Sequence, residues 1–133
     1  MEFYASGTRG IILKLTQTFI FEAAHTLKAR YIDVHTKIQS ENIHGHTYTA
    51  SISIKGEPDK NGMVKDFGHL KWAIDAVKLQ LDHKFLDNVK GLGRPTMENL
   101  CLFIANNLKS LEGLCEVTVE RIASGDKCTL EIE

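Results

Sequence analysis

The chain has 133 residues, a hydrophobic fraction of 43%, and 16 basic against 17 acidic side chains, for a formal charge of −1. This length sets the expectation of a single domain over residues 1–133 with one core. The charge balance leaves no footprint for nucleic acid or an anionic membrane, and no apolar run approaches the roughly 18 residues of a membrane span.

The start, MEFYASGTRG, lacks the basic and apolar stretches of a secretory signal. Residues 11–24, IILKLTQTFIFEAA, are rich in β-formers, with Leu13, Leu15, Phe19 and Phe21 on one parity. Residues 44–55, HGHTYTASISIK, alternate more cleanly: His44, His46, Tyr48, Ala50, Ile52 and Ile54 face one way, mostly Thr and Ser the other. The two segments read as antiparallel strands, and GEPDKNG as the turn that follows. Asp66 is a plausible N-cap for a helix in which Phe67, Leu70, Ile74, Val77 and Leu81 form an apolar stripe, ending near Asp82 and His83. NVKGLGRP breaks the chain, and Thr96 can cap a second helix burying Leu100, Phe103, Ile104, Leu108 and Leu111. LCEVTVERI and KCTLEIE are short alternating runs split by ASGD, a hairpin signal. The order β-β-α-α-β-β predicts an α+β fold, with helices on one face of a four-stranded antiparallel sheet. Two open sheet edges make pairing between subunits a reasonable expectation. Cys101, Cys115 and Cys128 are widely spaced and form no CxxC pair; they read as structural, and a reducing cytoplasm is the expected compartment.

Three of the six histidines read as a set. His44 and His46 project from one strand face about 6–7 Å apart, which lets two imidazoles reach one ion. His25, at the end of FEAAH, shares parity with Phe19 and Phe21 and can lie beside them if the strands pair. Three neutral nitrogens with one open position is the catalytic zinc arrangement. An HxH alone would equally describe two exposed histidines; the third residue shifts the balance. His35 and His69 read as loop and helix-surface residues.

Taken together, FEAAH, HGHTY, VKDFGHLK, LDHKFLD, PTMEN and VTVE resemble, in order and spacing, the 6-pyruvoyltetrahydropterin synthase and 6-carboxytetrahydropterin synthase family, from about residue 12 to the C-terminus. The resemblance implies the tunnelling fold, whose sheet edges join subunits into trimeric barrels, usually stacked as hexamers, with active sites at subunit interfaces. It implies Zn²⁺ on His25, His44 and His46, places Asp82 and His83 in the catalytic group, and makes Glu98 and Glu120 pterin-recognition residues. A carboxylate can accept the adjacent N–H donors of a pterin in bidentate fashion. Each assignment has a plainer counterpart: Glu98 suits a helix N-terminus, His83 a helix C-terminus, and Glu120 a solvated strand. Adjacent helical residues do not face each other, so Asp82 can orient His83 only if the helix stops before them.

The chain departs from the family at one position. Pyruvoyl- and carboxypterin-forming members carry a cysteine four residues before HxH, where this chain has Ser40, and a serine hydroxyl is too weak an acid to replace a thiol without a base. Glu41 stands three residues before His44, and this ExxHGH pattern looks like the branch in which glutamate takes over from cysteine. That branch cleaves 7,8-dihydroneopterin triphosphate to 6-hydroxymethyl-7,8-dihydropterin, a folate precursor. The expectation is therefore a zinc-dependent lyase with Glu41 as base. The alternatives are a carboxy- or pyruvoyl-tetrahydropterin synthase and a pterin-binding protein without turnover. Lys28, Arg30 and Lys37 are basic residues available for the phosphates.

Overall fold

The computed structural model of the chain describes residues 10–26 and 42–133. Strand β1 (Leu13–His25) runs antiparallel to β2 (His44–Gly56) over its whole length, from Leu13 opposite Gly56 to His25 opposite His44. After a turn come helix α1 (Phe67–Leu81), a two-residue strand β3 (Lys84–Phe85), a 3₁₀ turn (Leu86–Asn88) and helix α2 (Met97–Asn107). Strands β4 (Leu114–Arg121) and β5 (Asp126–Glu131) close the chain as a hairpin, and the sheet order is β3-β1-β2-β4-β5. No helix among the described residues is long and apolar enough to cross a membrane.

The alternation expected in the strands orders the core. Phe19, Phe21, Ala23, Tyr48, Ala50, Ile52, Ile54, Val117 and Val119 form the buried sheet face, and both helices pack on it. Asp66 caps α1, accepting from the Gly68 N–H at 2.7 Å, and Thr96 caps α2, accepting from the Asn99 N–H at 3.1 Å. Leu70, Ile74, Val77 and Leu81 are the buried stripe of α1, whereas Phe67, in its first turn, stays half exposed. Helix α2 ends at Asn107, so Leu108 and Leu111 pack against the core from the turn beyond it.

Among the described residues the sheet has five strands where four were expected, and the additional one is parallel: Lys84 and Phe85 pair with Ala23 and Ala24. Two residues carry no periodicity, so this strand is invisible in the pattern of the chain. It exists because α1 stops at Leu81 and the next residues are clamped to β1. Asp82 Oδ1 accepts the Glu22 N–H at 2.9 Å, and the His83 N–H donates to the Glu22 carbonyl at 2.6 Å.

Candidate metal centre and active site

The pairing of β1 with β2 assembles the histidines. His25 sits directly opposite His44, and His46 is opposite Ala23, whose small side chain leaves room above it. The three ring centroids are 4.4 Å (His25–His44), 5.0 Å (His25–His46) and 5.0 Å (His44–His46) apart, and one ring nitrogen from each residue lies within 4.8 Å of the other two. Phe21 stacks on Tyr48 beneath them, with centroids 4.9 Å apart, and the Tyr48 ring stands edge-on to His46. The floor of the site is thus a buried aromatic pair.

The triad suits a divalent ion. His25 is almost fully buried, yet neither ring nitrogen has a hydrogen-bond partner among the described residues. Such orphaned polar atoms are costly unless something binds them. The His44 Nδ1–H donates to the Asn42 carbonyl at 2.8 Å, which leaves Nε2 with its lone pair. Burial, reinforced by His44, lowers the pKa of His25; burial and then the Arg121 guanidinium pull His46 down to about 4. Both rings are therefore neutral near pH 7, the state a metal requires. Three imidazoles suit first-row divalent ions, zinc among them.

Asp82 and His83 form a second group. The helix stops before them, as their pairing demands: Asp82 is extended and His83 adopts the left-handed conformation (φ 59°), which is costly for a residue with a Cβ. This geometry turns the His83 Nδ1 to within 3.1 Å of Asp82 Oδ2 and leaves the ring exposed. The Glu22 N–H, more than His83, holds the Asp82 carboxyl below its usual pKa. A cleft of about 570 Å³ lies beside His46, lined by Glu22 and Thr47, which alternate with buried Ala23 and Tyr48 and so stand on the opposite sheet face from the triad, and by His83, Lys84 and Phe85.

Of the other expected residues that the structure describes, neither Glu98 nor Glu120 is brought here. Glu98 lies exposed in the first turn of α2. Glu120 alternates with the buried Val119 and so points from the sheet face opposite the core, between Thr49 and Lys127. Ser40, Glu41, Lys28, Arg30, Lys37 and His35 lie outside the described residues. The thiols are engaged elsewhere: Cys101 donates to the Cys128 carbonyl, Cys115 to the Ser53 carbonyl, and Cys128 packs against the core.

Two side chains at the site lie outside the set expected from the sequence. Asp87, in the 3₁₀ turn, accepts both the backbone N–H (2.8 Å) and the hydroxyl of buried Thr26, anchoring the chain next to His25. Arg121 extends from the core face of β4, with Nη1 3.1 Å from His46 Nε2 and Nη2 2.6 Å from Asp126. Its signal was legible: Arg121 shares parity with Val117 and Val119, and a charge on a buried face needs a partner.

Comparison with known proteins agrees with this geometry. Residues 14–132 match the family model described as 6-pyruvoyl tetrahydropterin synthase. A dihydroneopterin monophosphate aldolase from Pyrococcus furiosus is 34% identical over 116 residues, covering 85% of this chain and 90% of that protein. A 6-carboxy-5,6,7,8-tetrahydropterin synthase from Synechocystis is 37% identical over 109 residues, covering 76% and 80%. The structure of Caenorhabditis elegans 6-pyruvoyl tetrahydropterin synthase has a TM-score of 0.80 at 26% identity, covering 95% of this chain and 99% of that one.

Proposed function

The chain belongs to the 6-pyruvoyl tetrahydropterin synthase family, and from that premise we propose that it is a zinc-dependent lyase that cleaves the side chain of a 7,8-dihydroneopterin phosphate to leave 6-hydroxymethyl-7,8-dihydropterin. The observation that carries this reading is the ENIHGH segment, in which Ser40 stands in place of the family cysteine and Glu41 lies beside it. The structure supports it by engaging all three thiols away from the triad. The name of the Pyrococcus relative, an aldolase, points to the same bond.

His25, His44 and His46 would hold the ion above the Phe21–Tyr48 stack. A bound zinc would supply Lewis acidity that polarises the substrate's side-chain hydroxyls. Glu41 would remove the 2′-hydroxyl proton; a carboxylate whose pKa is raised in a partly dry pocket is suited to this. As the 2′-carbonyl forms, the C1′–C2′ bond breaks, its electrons pass into the pterin C=N, and a phosphorylated two-carbon aldehyde leaves. His83, held through Nδ1 by Asp82 and facing the cleft, would deliver the proton to C1′. Glu98 and Glu120 are kept as the pterin anchors. Because neither lines the triad's cleft within one chain, the reading places them in a site shared between subunits of a trimer or hexamer.

Incubation with dihydroneopterin triphosphate and, separately, monophosphate tests the reading through the pterin product. Hydroxymethyl pterin is expected. A carboxy or pyruvoyl pterin would instead identify a synthase, and tight binding without product a pterin-binding homologue.

A further inference from the structure

Arg121 is the one charged side chain directed at the triad from the core face of β4, and it is held in place at two points. Nη2 is tied to Asp126, its direct partner across the β4–β5 hairpin, and the Ser124 hydroxyl donates to the same carboxylate oxygen at 2.9 Å. Nη1 reaches His46 Nε2. A guanidinium offers only donors, so His46 Nε2 must accept. A neutral imidazole has a single in-plane lone pair. An ion that takes Nε2 must displace the Arg121 N–H. An ion that takes Nδ1 forces the ring proton onto Nε2, where it would face that same N–H. Through either nitrogen, guanidinium and ion compete for one ring.

We propose that Arg121 is a positioning residue that competes with the divalent ion for His46 and so sets how tightly the ion is held. This rests on the metal reading of the triad. The observed geometry makes the competition direct, because Asp126 keeps the guanidinium beside the triad whether or not it contacts His46. It gives the β4–β5 hairpin, which contributes no expected ligand, control over the metal centre.

The test is a Zn²⁺ titration of the full-length chain in competition with a chromophoric chelator. Wild type is compared with Arg121→Met, which has neither charge nor donor, and Arg121→Gln, which lacks the charge but can still donate to Asp126. Circular dichroism and thermal midpoints establish which variants fold; the glutamine variant serves if the methionine one does not. The expected result is tighter zinc binding in the folded variants, by about 10-fold, the scale of effects from residues that contact metal ligands. Equal or weaker affinity in a folded variant overturns the proposal and leaves the metal site standing. If wild type binds no zinc at all, the metal reading fails and this inference fails with it.

Discussion

In the proposed reaction, Ser40 and Glu41 are the single residues on which the choice between lyase and synthase turns. The proposed role of Glu41 predicts that Glu41→Ala abolishes turnover while zinc content, measured by elemental analysis, stays at the wild-type level. Ser40→Ala should cost little; a loss equal to that of Glu41→Ala would transfer the role to the serine. His46→Ala should lose both metal and activity, because it removes one of the three ring nitrogens that the described residues bring together for an ion. Acidity acts at the same residue. His46 has its pKa lowered to about 4 in the fold against 6.5 for an unperturbed ring. Between those values the unfolded chain binds the extra proton and the folded one does not, so stability falls as pH drops from about 6.5 towards 4. A chelator-treated sample should therefore show a thermal midpoint that declines across that window, and a flat profile would contradict the burial of the ring.

At the scale of elements, the β1–β2 pair and the corner from α1 to β3 build the two halves of the cleft. Asp82 joins them, since its two oxygens take the Glu22 N–H on one side and His83 on the other. Asp82→Asn offers a single oxygen for those two tasks. It should lower kcat with an altered pH–rate profile while leaving zinc affinity unchanged; weakened zinc binding would mean that the corner supports the triad itself. A second element contact lies at the far end of β2. Gly113, at φ 82°, donates no side chain where an added Cβ would meet the Lys55 carbonyl oxygen at 2.2 Å, while its own carbonyl accepts the Lys55 N–H. Gly113→Ala combines left-handed strain with a backbone clash and should destabilise the fold by about 2–3 kcal/mol in denaturant titration.

For the whole molecule, the sheet formed by the described residues ends in two unsatisfied edges. Among those residues, strand β3 covers only Ala23 and Ala24, which leaves most of β1 open on that side, and β5 is open along its length. Ile12, Leu13 and Ile20 lie exposed on or beside the β1 edge. Open edges with apolar side chains favour pairing with another chain, in keeping with the proposed barrel. If each active site combines a triad from one subunit with Glu98 or Glu120 from another, two inactive variants can complement each other. Refolding His46→Ala together with Glu120→Gln should recover part of the wild-type rate. Failure to recover any, with mixed oligomers demonstrated by native mass spectrometry, would put the whole site in one chain.

Much of this was readable along the chain because it depends on local period. The alternation of β1 and β2, the capped stripes of the helices, the hairpin at ASGD, the parity of His25 with Phe19 and Phe21 and that of His44 and His46 with Tyr48 all follow from side-chain geometry that repeats every 2 or 3.6 residues. By that measure the order of the long elements, the core face and the meeting of the three histidines were determined by the sequence itself. Tertiary structure decided what no period encodes. A strand of two residues formed because a carboxylate and a backbone N–H met β1 across 60 positions of chain. Glu120 was turned away from the triad, and Arg121, one residue later, was turned towards it, because β4 pairs with β2 in one register and a step of one residue reverses the face.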